Sequence, residues 1–500
     1  MATLSPSPRN QFQTSKQQWR AARSIRLLLE KRWLAAVLAL MLTGFAAAAA
    51  GLMFKTGIGW LGAWRLRLLQ IAPATFVLPL LGGVGGLISA LLIKHLAPAA
   101  EGSGITQVME FIKGQNVPMG FRVALVKLVT GIVAIGTGFP LGPEGPSVQM
   151  GGSVAWQLAK LLKAPSAFLN VIVAAGGGAG IAAVFNAPIG GFLYSIEELL
   201  RSARPVVLLV VLVTTFSADT WADVMGLAGL GSQSSGLNDL GFQLEREFSP
   251  LVRFLPIDLL YLIGLGIVVG LLAEVYCRYV ILMQLHSHRW FGKNLVLRMM
   301  SNGFLLGAVF SFLPSEFHDH IALQHAVGEG HVEINNALAI FSIEFCATGL
   351  AAASGAPGGL FAPMLTLGGS IGLACGGIVE YLTGHVPTTY VFAGMGAFVA
   401  ACSRTPITAM FLAFALTKDL LILKPILVTC LASFLVSQAL DAHSIYERQI
   451  ALNHELEYSF GVNKANTKKA DGTDILMLTS MPLKPDPRPP SSNENDLNSR

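Results

Sequence analysis

The sequence predicts an all-α polytopic membrane protein built from two related halves of broken and tilted helices. Three observations predict it. First, 53% of the 500 residues are hydrophobic and only 13% are charged, with a mean hydropathy of +0.59. A soluble chain carries roughly twice that charged fraction. Second, apolar runs at 33–53, 73–94, 120–138, 205–217, 256–276, 337–353 and 421–440 reach or approach the ~20 residues that cross a bilayer. Third, Gly and Pro interrupt these runs, and the interruptions recur. Gly145–Val154 aligns with Ala362–Ile371 at an offset of 217, sharing Pro, Gly-Gly and Ser. Gly176–Leu199 aligns with Gly394–Thr417 at an offset of 218, sharing Gly176, Gly178, Ala179, Ala182, Ala183, Pro188 and Ile189. Such breaks at corresponding places of two halves point to a transport site at their interface, near the bilayer midplane. The short alternating strands of a β-barrel are not visible.

Taken in order, residues 1–31 form a polar tail and a basic amphipathic helix on the membrane surface, from about 16 to 32. The first half runs over 32–223, with spans at about 32–54 and 73–97. A short helix opens at Gly102-Ser103-Gly104-Ile105-Thr106 and ends near Lys113-Gly114. Further segments follow at 120–137, 144–163, 167–182, 188–201 and 205–223. Residues 224–250 are Gly/Ser-rich and read as a linker. The second half, 251–460, has segments at 251–278, 295–313, 333–353, 359–378, 389–401, 405–417 and 421–440. A His-containing loop lies at 316–331 and a terminal helix at 441–460; 461–500 reads as a disordered cytoplasmic tail.

The net charge of +5 matters less than its placement. Arg9, Lys16, Arg20, Arg23, Arg26, Lys31 and Arg32 precede the first span, and Lys464, Lys468, Lys469, Lys484 and Arg488 follow the last. The positive-inside rule puts both termini in the cytoplasm. Arg65 and Arg67 run against the pattern. The charges flank spans and form no basic domain, so nucleic-acid binding is excluded as a reading. The polar first 30 residues lack a cleavable signal-peptide pattern. The five cysteines form no CxxC pair and read as small buried hydrophobes. His318, His320, His325 and His331 have no metal-ligand spacing, and no cofactor is implied.

The most informative stretch is Leu141-Gly142-Pro143-Glu144-Gly145-Pro146. Pro146 suits the first turn of a helix that starts at membrane depth. Unpaired N–H groups at such a start attract anions. Low dielectric disfavours the Glu144 ion and helix-end donors favour it, so both protonation states are reachable. Glu144 can therefore occupy an anion position or leave it. Phe361, in Gly358-Gly359-Leu360-Phe361-Ala362-Pro363, is its counterpart in the second half. Glu197 and Glu198 read as an interfacial pair balanced by Arg201 and Arg204. Ser103 and Tyr446 bring hydroxyls, while Lys127 and Glu344 lie within apolar spans and each needs a partner. A membrane hydrolase would need a base beside Ser103 or Ser354, and no histidine accompanies either within a span, so the chain is not read as an enzyme.

Gly102-Ser103-Gly104-Ile105, Gly142-Pro143-Glu144-Gly145-Pro146 and Gly358-Gly359-Leu360-Phe361-Ala362-Pro363 together resemble the CLC family of chloride channels and chloride/proton antiporters, over roughly residues 30–460. The resemblance implies two inverted-topology halves and a homodimer with one pore per subunit. It implies chloride contacts from Ser103, Gly104, Ile105, Glu144, Gly145, Leu360, Phe361 and Tyr446. Glu144 is similar to the family's outer gating glutamate. Glu198 falls at its inner proton-transfer glutamate, which favours a chloride/proton antiporter over a passive chloride channel. Chloride and protons would be the transported ligands, and a bacterial inner membrane the setting. Thr106 stands where the family usually has Pro, and Pro143 where an Arg or Lys is common, so the outer mouth has lost a cation. The tail after 460 is too short for the paired regulatory domains of many relatives.

Overall fold

A computed structural model describes residues 8–456 apart from 165, 228–257, 330–331, 385–388 and 418–419. The first half comprises α1 (Pro8–Ile71), α2 (Ala74–Leu96), α3 (Ile105–Ile112), α4 (Phe121–Thr137), α5 (Glu144–Leu161), α6 (Ser166–Phe185), α7 (Pro188–Tyr194) and α8 (Pro205–Leu227). A π-helical segment, Ser195–Leu200, continues α7. The second half comprises α9 (Asp258–Phe291), α10 (Leu295–Ser311), α11 (His320–Glu329), α12 (Ile334–Ala353), α13 (Phe361–Thr383), α14 (Tyr390–Ser403), α15 (Pro406–Thr417) and α16 (Leu423–Leu440). A last helix, α17, begins at 445. Among the described residues, eight helices are long and apolar enough to cross a membrane.

Three expectations change. The surface helix and first span are one unbroken helix, α1, which continues to Ile71. The assigned loop at 316–331 contains α11. α8 continues to Leu227, so 224–227 belong to it, and the rest of the proposed linker lies outside the described residues, as does the tail 461–500.

Elementary backbone chemistry sets these boundaries. Pro188, Pro205 and Pro406 each open a helix, where a missing N–H costs nothing. Asn186 and Arg404, equivalents at the offset of 218, both take left-handed φ, 51° and 63°, just before Pro188 and Pro406. Gly138 and Gly355, equivalents at 217, do the same with φ of 118° and 79°. The repeat is thus visible in the backbone itself.

The Gly-Gly pairs of the repeated motif have a packing cause. A Cβ on Gly151 would strike the Gly176 carbonyl, and one on Gly368 the Gly394 carbonyl. Only glycine lets α5 touch α6, and α13 touch α14, backbone to backbone. These helices form the centre. Over 18-residue stretches α6 is 83% buried and α13 78%, against 33% for α8, so α8 is left to face lipid. Glycines at close helix contacts are the usual device where lipid gives no hydrophobic drive to association.

Candidate functional site

Two chain breaks meet at the centre. After α4 the chain crosses Phe139–Pro143 and restarts at Glu144; after α12 it crosses to Leu360 and restarts at Phe361. Gly142 N–H donates to Gly359 O at 2.8 Å, and Gly359 N–H returns a bond to Gly142 O at 2.8 Å. These two residues are equivalents at the repeat offset of 217. A residue that pairs reciprocally with its own counterpart lies on a local two-fold axis. The axis brings the starts of α5 and α13 to one place.

Glu144 is 1% exposed, and its Oε1 accepts from the N–H groups of Phe361 at 2.6 Å and Ala362 at 3.3 Å. The first residue of one half's helix therefore lies on the helix-start donors of the other half. Those donors have no intrahelical partner and carry the positive end of the helix dipole, so they favour an anion. Phe361, the equivalent of Glu144, turns its ring toward Phe185, 5.6 Å between centroids. Leu360 is the cap residue of α13.

Glu144 Oε2, Ser103 Oγ, Tyr194 Oη and Tyr446 Oη are buried without a hydrogen-bond partner in the protein. Buried polar atoms are rarely left so. Orphans gathered around one carboxylate suit a small polar guest. Ser103 packs against Gly145: a Cβ there would meet Ser103 Oγ at 2.8 Å and Gly359 Cα at 3.0 Å. The Tyr446 hydroxyl lies within electrostatic reach of both Glu144 and Glu198. Tyr194 faces Tyr446, Glu198 and Glu144 in the same way. Sequence reasoning missed Tyr194, because one aromatic in an apolar helix carries no signal. Its position four residues before Glu198 was the available hint.

The Ser103 turn is held from behind. Gly102 N–H donates to Gly355 O at 2.9 Å, and Lys127, fully buried, gives its ammonium to the carbonyls of Ala100 at 3.0 Å and Gly102 at 2.5 Å. These carbonyls are the partners that Lys127 needs. Gln107 Oε1 accepts from Gly104 N–H at 2.8 Å. The Gly104 N–H is thus engaged within the protein, while Ile105 opens α3, where helix-start N–H groups lack intrahelical partners.

Glu197 and Glu198 are not a pair. Glu197 accepts from Ile407 N–H at 3.3 Å, Thr408 N–H at 2.7 Å and Thr408 Oγ1 at 2.7 Å, so it caps α15. Glu198 is 2% exposed and accepts from Ser444 Oγ at 3.2 Å. Arg201 balances neither as a direct partner; it bonds Glu447 at 2.8 Å. Ser354 spends its hydroxyl in a turn, donating to Ala351 O at 2.6 Å and accepting from Ala356 N–H at 3.0 Å.

A cavity bordered by Gly142, Pro143 and Ala362 adjoins the Glu144 turn, with Arg65, Asp319, Gln324 and Glu344 as its polar walls. Arg65 is buried, donates to His318 O at 3.1 Å and approaches Asp319 at 3.8 Å. It is an interior residue, which explains its disagreement with the loop-charge pattern. Cys346 is exposed rather than buried.

Broken apolar helices whose starts converge on a buried carboxylate define a class, the membrane ion-transport proteins. The chain belongs to the family described as voltage gated chloride channel, whose profile matches residues 85–438. It is 30% identical over 449 residues to the H(+)/Cl(-) exchange transporter ClcA of Cronobacter sakazakii, across 87% of this chain and 93% of that protein. It is similar to the crystal structure of a slow cyanobacterial Cl-/H+ antiporter, with a TM-score of 0.75 and 28% identity over 84% of this chain and 98% of that one. A eukaryotic CLC transporter shares the fold at a TM-score of 0.70 and 22% identity, over 84% of this chain and 74% of that one.

Proposed function

We propose that the chain is a secondary active chloride/proton antiporter with Glu144 as the group shared by both ions. The observation that carries this is the Glu144 carboxylate resting on the Phe361 and Ala362 N–H groups. An ionised carboxylate makes charge-assisted bonds there, and protonation removes the charge that makes them strong. Chloride then competes for the same donors, helped by the hydroxyls of Ser103 and Tyr446 and by the backbone around Gly145, Ile105 and Leu360. The proton continues inward to Glu198. Anion and proton share the outer route and part below it.

The relatives named as Cl⁻/H⁺ exchangers support antiport over passive conduction. The motif resemblance implies a homodimer with one pore per subunit in a bacterial inner membrane, and the basic residues flanking the first and last spans favour cytoplasmic termini. No step calls for a cofactor or for enzymatic chemistry.

The test is flux from purified protein in liposomes, with chloride and pH electrodes recording together. A chloride gradient is expected to drive protons uphill, and Glu144→Ala to abolish that movement while chloride still passes. A reversal potential that ignores the pH gradient would instead identify a passive channel.

A further inference from the structure

The start of α17 connects two things the transport cycle must coordinate. Ser444 is the cap residue of this helix and is fully buried. Its Oγ accepts from Glu447 N–H at 3.3 Å, and its own N–H donates to Glu447 Oε2 at 3.2 Å. This is a reciprocal capping box, Ser-x-x-Glu. Capping uses only the lone pairs of the serine oxygen. The hydroxyl proton remains, and it is donated to Glu198 Oε1 at 3.2 Å. Two residues further along α17 stands Tyr446, with its hydroxyl buried and unpartnered in the protein.

The helix start is fixed on its other sides. Glu447 Oε1 bonds Arg201 at 2.8 Å and approaches Lys113 at 3.9 Å. Arg448 grips Glu274 through two nitrogens, at 3.0 Å and 2.6 Å. With those anchors set, the serine hydroxyl links Glu198 directly to the segment that carries Tyr446. An ionised carboxylate accepts from it, whereas a protonated one can donate back to it. The groups facing Glu198 are Arg201 and Glu197 on its own segment, Tyr194 on α7, and Glu447, Tyr446 and Ser444 at α17.

We infer that Ser444 is a positioning residue for the proton step, joining the charge state of Glu198 to the placement of Tyr446. The inference rests on the antiporter reading above and adds to it a residue outside the anion and proton positions. Losing a donor to a carboxylate favours its protonated form.

The experiment measures chloride and proton flux together, across a pH series, in liposomes holding the parent protein, Ser444→Ala, Ser444→Thr, Glu198→Gln and the Ser444→Ala/Glu198→Gln double variant. Ser444→Gly is the second hydroxyl-free variant, since glycine is tolerated at a helix cap if alanine impairs folding. Removing the hydroxyl is expected to lower protons moved per chloride by about threefold and to move the midpoint of the proton-flux pH profile upward by about one unit. Threonine is expected to restore both values. In the Glu198→Gln background, Ser444→Ala is expected to change the ratio no further. Parallel loss of both fluxes, with ratio and midpoint unchanged, is what a helix cap alone would give, and it would overturn the inference while leaving antiport intact. A parent protein that moves no protons uphill would overturn the antiporter reading and this inference with it.

Discussion

The turns before α5 and α13 have one backbone plan and two different side chains. Gly142 and Gly359 pair with each other, Pro146 and Pro363 sit in equivalent first turns, and Gly151 and Gly368 make equivalent close contacts. At the next equivalent pair the plan divides. One half places Glu144 there, and the other places Phe361. The second half contributes donors without a charge to fill them; the first contributes the charge. Symmetry builds a place where two helix starts meet, and a single break of symmetry puts a titratable carboxyl group there.

The sharpest way to break this comparison is to erase the difference. Glu144→Ala makes both turns uncharged, and uphill proton transport is expected to fall by roughly a hundredfold or more, with chloride flux retained. A smaller loss is expected at the proposed inner proton site. Glu198→Gln is expected to cut proton flux by about tenfold while chloride continues, since it removes the proposed inner proton carrier and leaves the donors of α13 untouched. Equal proton and chloride losses there would separate Glu198 from the proton route.

The paired glycines test the symmetry directly. A Cβ on Gly142 or on Gly359 would overlap the Glu144 carboxylate, from opposite halves of the chain. Both Gly142→Ala and Gly359→Ala are expected to displace that side chain. Each should lower the proton-to-chloride ratio by about fivefold, a cost like other overpacking changes. Unequal effects of opposite sign would show that the two turns are not interchangeable supports.

The halves differ a second time, away from the pore. Arg404 is the equivalent of Asn186, and only Arg404 joins an ion cluster, reaching Glu274 at 3.2 Å beside Arg448 at 2.6 Å. Glu274→Ala removes the carboxylate shared by Arg404 and Arg448, leaving Arg448 to Asp441 at 3.5 Å and Arg404 to the Asp441 and Ser437 carbonyls, and is expected to cost about 1–3 kcal/mol, read as reduced thermal stability of the detergent-solubilised protein. The smallest effect is expected at Lys127, whose ammonium holds the carbonyls of Ala100 and Gly102. Lys127→Met is expected to weaken chloride binding by several-fold, measured by isothermal titration, through loosening of the Ser103 turn.

Much of this was legible in the chain. Gly and Pro mark breaks because they act on local backbone, so helix starts at Glu144, Pro188 and Pro406 could be read without coordinates. The repeat offset tied Glu144 to Phe361, because both lie in gap-free copies of one motif. The contacts that span the halves were not readable. Glu197 caps a helix 210 residues away, Arg65 buries itself against His318, and Ser444 reaches Glu198. Such partners are chosen by packing, and nothing near either residue in sequence encodes them. The bond from Gly104 N–H to the Gln107 side chain was not readable either, although the two residues are only three apart.

The most direct measurement is an anomalous-diffraction map of crystals grown in bromide, for the parent protein and for Glu144→Gln. The account predicts that bromide in Glu144→Gln occupies the place of the parent carboxylate, in contact with the Phe361 and Ala362 N–H groups. Bromide bound only at sites remote from those two donors in both proteins would contradict it.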